Sequence, residues 1–143
     1  MQTNTTHLPE KVLQFGTGIL LRGLPDYFID QANRRGVFNG RILVVKSTAG
    51  TVEDFDRHHC QFTTCVRGLH KGKKIEENIL NTAIARVLSA QNLWPAVLAA
   101  ATNPELQVII SNTTEVGIRF EPESVFLNPP ASLFCVHREP KPL

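Results

Sequence analysis

Residues 11–47, KVLQFGTGILLRGLPDYFIDQANRRGVFNGRILVVKS, decide how this chain folds. The opening KVLQF is a short apolar run halted at Gly16-Thr17-Gly18. A run so short and so bounded reads as a buried strand rather than a helix. After the glycines, Leu20, Leu24, Tyr27, Phe28 and Gln31 recur at spacings of three and four. That is the period of a helix burying one face, here running to about Arg34 with Gly36 as its stop. Pro25 would delete a hydrogen bond inside a helix but is welcome in a first turn, so the helix proper is expected to start near Pro25. RILVVK, residues 41–46, reads as a second strand buried on both faces. Strand, glycine turn, helix and strand make a βαβ unit. Its right-handed crossover sets the two strands side by side and parallel.

Outward from this unit, residues 47–59 are polar and read as a loop. Residues 60–67 (CQFTTCVR) read as a strand that Gly68 to Gly72 turns back into residues 74–79, a small hairpin. Residues 91–101 (QNLWPAVLAAA) read as a helix with Pro95 near its beginning, ended by Asn103-Pro104. Its Trp94, with Leu93, Val97 and Leu98, reads as core. Residues 107–111 (QVIIS) read as a third buried strand, followed by the polar turn Asn112-Thr113-Thr114-Glu115. The fold class is α/β, a parallel sheet with flanking helices and an inserted β-hairpin.

The length of 143 residues is that of one domain, and 42% hydrophobic with 20% charged residues is ordinary globular composition, which excludes a wholly disordered chain. A formal charge of +2 argues for neither a nucleic-acid nor an anionic-membrane partner. No run of about 20 apolar residues is present, so no transmembrane helix is expected. The opening MQTNTTHLPEK lacks the basic-then-apolar order of a secretion signal, and Cys60, Cys65 and Cys135 make no disulfide framework, so the expected compartment is the cytoplasm. His58, His59, Cys60 and Cys65 are metal-ligand types, but zinc sites favour two closely spaced ligand pairs, and no metal is expected. The basic cluster His70, Lys71, Lys73 and Lys74 reads as the solvated turn of the hairpin rather than a nucleic-acid contact.

The chemistry concentrates at Gly16-Thr17-Gly18. A nucleotide pyrophosphate needs backbone N–H donors where a strand gives way to a helix, and no side chain in its path. Gly16 would allow the sharp turn and Gly18 would let the backbone meet the phosphates. A GxG also occurs as a purely structural turn, and the full dinucleotide fingerprint wants a third glycine where this chain has Leu21. Nor does the second strand end in an acid to hold ribose hydroxyls. It ends Lys46-Ser47-Thr48, which either suits a 2′-phosphate or solvates the strand end.

FGTGILLRG (15–23), DYFID (26–30), TTCVRGL (63–69) and SNTTEVGI (111–118) together resemble the N-terminal domain of the mannitol dehydrogenase family, and within it the tagaturonate-reducing branch. The resemblance implies a Rossmann-like nicotinamide-binding domain over residues 10–132, between a flexible lead-in at 1–9 and an atypical tail at 133–143. It implies that Gly16, Thr17, Gly18, Ile19 and Leu20 form the pyrophosphate turn with Arg22 close behind. Thr113, Thr114 and Glu115 would lie toward the nicotinamide, although by pattern alone they read sooner as a polar cap or turn. The implied cofactor is NAD, with NADP left open by Lys46-Ser47, and the implied activity is that of a polyol or sugar-acid oxidoreductase.

The family's proton-transfer residues follow a K-x4-N-x2-H pattern on a helical C-terminal domain. Lys73 and Asn78 have the first spacing, but Asn81 stands where histidine is needed and all three lie in the hairpin, so no catalytic residue is assigned. The chain after Ser132 does not continue as the family does. The expectation is therefore a truncated or frame-disrupted form that keeps the cofactor domain, shows no turnover alone, and self-associates through the surface its second domain would cover. The alternative is a non-catalytic nucleotide- or partner-binding remnant.

Overall fold

A computed structural model describes residues 7–113 of the chain. The elements run β1 (Glu10–Phe15), α1 (Ile19–Gly23), α2 (Pro25–Arg34), β2 (Arg41–Lys46), α3 (Glu53–Arg57), β3 (Phe62–His70), β4 (Lys73–Asn81), β5 (Ile84–Ser89), α4 (Trp94–Ala101) and β6 (Val108–Ser111). Four strands form a sheet in the order β5-β2-β1-β6, every pairing parallel. β1 and β2 are neighbours in register Leu13 to Leu43 and Phe15 to Val45, as the βαβ reading requires. β1 is flanked on its other side by β6, with Phe15 opposite Ser111.

Both faces of the sheet are covered, which is why its central strands read as unbroken aliphatic runs. Val12, Ile42, Val44, Ile84 and Val87 point to one face, where Ile29, Phe38, Val52 and Phe55 pack on them. Leu13, Leu43, Val45 and Leu88 point to the other, under Val97, Trp94 and Ala100 of α4. β3 and β4 stand apart as a two-stranded antiparallel hairpin. Lys71 and Gly72 form its tip with φ of 50° and 75°. Two successive left-handed residues are what a two-residue hairpin turn of matching twist demands.

Several expectations need correction. The helix proper begins at Pro25 and runs to Arg34, as expected, but a separate short helix, α1, precedes it and ends at Gly23, where Leu24 breaks the line with φ −115° and ψ −82°. The residues expected on its buried face are not there. Leu20, Leu24 and Phe28 are 55%, 49% and 61% exposed, while Asp26, Asp30 and Asn33 are the buried residues of α2. Residues 47–59 are not all loop, since α3 lies within them. Its first turn holds Glu53, Asp54 and Asp56, a charge placement that favours a helix start. β5, on the edge beside β2, has no counterpart in the sequence reading. β6 is a strand as expected but is not buried along its length, with Val108 and Ile109 39% and 45% exposed at the opposite edge. In the expected α4 core, Val97 is buried and Trp94 packs beneath the sheet, but Leu93 and Leu98 are exposed. The expected boundary at 132/133 lies outside the described residues.

Candidate functional site

The parallel strands, taken in chain order, lie 3-2-1-4 across the sheet, so the order reverses between β1 and β6. In open parallel sheets, the crevice at such a reversal, beyond the carboxyl ends of the strands, is where ligands bind. Gly16-Thr17-Gly18 leaves β1 at that place, and Asn112 follows β6 there.

The glycine turn has a defined geometry. Gly16 has φ +115°, and its N–H donates to Val45 O at 2.9 Å, so β1 is tied to β2 as it leaves the sheet. A Cβ at Gly16 would also stand 3.1 Å from Leu21 Cδ1. Gly18 caps α1 in extended conformation, φ −64° and ψ 158°, and a Cβ there would meet nothing within 4 Å. The two glycines therefore differ. Gly16 is required by the fold, whereas Gly18 leaves open space in front of the turn. The first turn of α1 then presents N–H groups that a helix cannot satisfy from within.

Leu21 occupies the place of the fingerprint's third glycine, whose role is close helix-to-strand packing. It is buried against Gly16. A side chain there fills the space a glycine would leave, and α1 is only five residues long before the chain redirects at Leu24.

The structure brings the expected residues Gly16, Thr17, Gly18, Ile19, Leu20 and Arg22 together on this turn and short helix. Ile19 and Leu20 turn outward and are 81% and 55% exposed. Arg22 is half-buried, with its guanidinium 5.8 Å from the centre of the Phe62 ring and its Nε enclosed without a hydrogen-bond partner among the described residues. Thr113 is exposed and follows Asn112 in the chain. Thr114 and Glu115 lie outside the described residues.

Behind the turn lies a polar seam that the sequence reading missed. Asp26, Asp30 and Asn33 sit on one stripe of α2, all buried. Gln14 of β1, also fully buried, donates through Nε2 to Gly16 O at 3.3 Å and to Asp26 Oδ2 at 3.5 Å. Asn81, at the end of β4, donates through Nδ2 to Asp26 O at 2.9 Å. Asp30 accepts from Arg34 Nε at 2.6 Å, Thr82 N at 2.9 Å and Thr82 Oγ1 at 3.1 Å. Asn33 clamps Gly40, donating to its carbonyl at 2.7 Å and accepting from its N–H at 3.1 Å. Burial pushes the Asp26 carboxyl up to about 7, against the smaller opposing effects of the Gln14 hydrogen bond and the Arg22 charge. The signal for this face was the i, i+4, i+7 spacing of Asp26, Asp30 and Asn33, the same period as the apolar residues.

At the end of β2, Lys46 Nζ donates to Thr48 O at 2.8 Å, to Thr48 Oγ1 at 3.0 Å and to Ala49 O. All three ammonium donors are thus engaged by the chain's own loop. No group of three or more His, Cys, Asp or Glu residues that could hold a metal ion occurs among the described residues. No described helix is long and apolar enough to cross a membrane. Lys73, Asn78 and Asn81 all lie in β4.

No family model matches the chain. Altronate oxidoreductase of Halalkalibacterium halodurans is 36% identical over 118 residues, which are 81% of this chain and 23% of that protein. Altronate oxidoreductase of Phocaeicola vulgatus is 32% identical over 130 residues, 90% of this chain and 27% of that protein. The chain thus spans about a quarter of the length of the relatives it matches. Among solved structures, Pseudomonas fluorescens mannitol 2-dehydrogenase, in ternary complex with NAD and D-mannitol, superposes with a TM-score of 0.70. It is 18% identical, with 80% of this chain and 24% of that one covered, a likeness that carries the fold. By sequence the chain is similar to the altronate oxidoreductases over about a quarter of their length, and its fold is that of the matched part of mannitol 2-dehydrogenase.

Proposed function

We propose that this chain is the nicotinamide-dinucleotide-binding part of a sugar-acid oxidoreductase of the tagaturonate-reducing kind. One observation carries the reading: the glycine turn leaves β1 at the point where the strand order reverses, with open space in front of Gly18. The residues present suit a dinucleotide. Gly16 makes the turn, Gly18 keeps it uncovered, the first N–H groups of α1 face the same opening, and Arg22 brings a cation close behind. Thr113, Thr114 and Glu115 are proposed for the nicotinamide side on the family resemblance of SNTTEVGI alone. A bound nicotinamide would supply or accept a hydride. The chain's own contribution is to hold the phosphates and orient the ring.

The cofactor is proposed to be NAD rather than NADP. Lys46 stands where a 2′-phosphate would be met, but its three donors already hold residues 48 and 49. A solved relative in fold binds NAD. Hydride transfer also needs an acid or base at the substrate hydroxyl. None of the residues described here is assigned that role, so residues 7–113 are proposed to bind cofactor without turnover. Calorimetric titration of the full chain with NADH and with NADPH tests this. Saturable binding of NADH, with NADPH weaker, supports the reading. Binding of neither contradicts it, and NADPH binding tighter contradicts the cofactor assignment.

A further inference from the structure

We propose that Asp26 is a positioning residue for the glycine turn, taking up a proton from solvent when a dinucleotide's phosphates bind there, so that occupancy of the turn is linked to pH. The inference rests on the dinucleotide reading of the turn and goes beyond it, because it concerns a side chain behind the turn that no phosphate touches.

The geometry has three parts. First, Asp26 is fully buried and coupled to the turn through one side chain, since Gln14 Nε2 reaches both Asp26 Oδ2 and the carbonyl of Gly16. Second, the site is short of a donor. Asp26 Oδ1 and Gln14 Oε1 are both enclosed with no hydrogen-bond partner among the described residues. Two buried acceptors without donors are costly, and protonating the carboxyl would supply one. Third, the cation whose charge acts on Asp26 is Arg22, which stands on the turn's own helix with its Nε unpartnered among the described residues. An arriving pyrophosphate adds negative charge beside Asp26 and draws on the same guanidinium. Both effects disfavour the Asp26 carboxylate, and the balance is a proton moving from solvent to the carboxyl oxygen.

The surroundings leave Asp26 as the group that responds. β1 and the end of β4 face it with the neutral amides of Gln14 and Asn81, and α1 with Arg22. On its own helix the next acid, Asp30, is held by Arg34 and Thr82. A carboxyl that already titrates near neutrality because of its burial is poised for such an exchange.

The test is calorimetric titration of the full chain with NADH in two buffers of different ionisation enthalpy, at about pH 7.5, with Kd measured between about pH 6 and about pH 8.5. The expected result is uptake of a fraction of one proton and binding about three- to tenfold weaker at the alkaline end. Asp26→Asn is expected to bind with neither the uptake nor the pH dependence. Because that variant could fail to fold, the wild-type carboxyl of Asp26 is also followed by carbon NMR, where saturation with NADH is expected to raise its titration midpoint. Binding without proton uptake, or an unmoved midpoint, overturns this inference and leaves the dinucleotide reading standing. Absence of NADH binding at every pH overturns both.

Discussion

The N–H of Gly16 donates to the carbonyl of Val45 at 2.9 Å, so the residue that follows β1 is fastened to the strand beside it before the chain turns away. That bond fixes where the glycine turn opens, and it separates two roles that the sequence motif GxG runs together.

Gly16→Ala is expected to cost about 1–3 kcal/mol of stability, because φ +115° strains any other residue and the new Cβ would press on Leu21. Gly18→Val is expected to change stability by within about 1 kcal/mol, since the added side chain enters open space. It should instead weaken NADH binding by tenfold or more, the blocked approach being the cause. Denaturant melts and calorimetry on both variants check the split. A Gly18→Val protein that binds normally would contradict the site.

Asp30 is expected to be the most sensitive position of the polar seam. Asp30→Ala removes the acceptor for Arg34 and for both donors of Thr82, and leaves the backbone N–H of Thr82 without this partner. A loss of about 2–4 kcal/mol in unfolding free energy follows. Arg34→Ala removes the half-exposed partner and its hydrogen bond to Leu80 O but leaves both Thr82 donors on Asp30, and should cost less. Equal losses in the two variants would show that the Thr82 contacts contribute little.

Stability should fall with rising pH through the range set by Asp26. Its carboxyl titrates at about 7 in the folded chain against an ordinary value of 3.8, so between these the folded state binds more protons than the unfolded. Unfolding free energy therefore declines from about pH 4 to about pH 7, by an amount of the order of a few kcal/mol, and levels off above. Asp26→Asn should flatten this slope and be the more stable form at alkaline pH. Urea melts across pH test it, and a wild-type slope of opposite sign would contradict the assignment.

Much of this was legible in the sequence, for identifiable reasons. The parallel β1–β2 pair followed from RILVVK and KVLQF because a strand covered on both faces has no polar alternation to hide it. The hairpin followed from its glycines. β5 was not legible, since IARVLS shows no simple alternation and runs on from the hairpin without a glycine or proline to mark its start. The face of α2 was misjudged for a different reason. Apolar and polar residues share the helical period there, and only the amides of Gln14 and Asn81, brought in from β1 and from the end of β4, show which stripe turns inward. At the site, the turn could be read from the motif, while the carboxyl behind it depends on contacts between residues 12 and 55 positions apart.

The inverted helix leaves Ile19, Leu20, Leu24, Phe28 and Val37 exposed along α1, α2 and the segment after it. An apolar surface of this kind is expected to drive association of the chain with itself. Light scattering should give a mass above that of one chain, and Phe28→Glu, which charges a site already 61% exposed, should lower it without loss of stability. A monomeric wild type would contradict this expectation.

The central claim is tested most directly by following the backbone amides of the labelled chain by NMR as NADH is added. The account predicts saturable shifts largest at Gly16, Gly18, Ile19 and Leu20, with Ser111 and Asn112 across the strand reversal also moving. Shifts confined to other residues, such as the groove of Tyr27, Phe28 and Gln31 on α2, or no shifts at all, would contradict it.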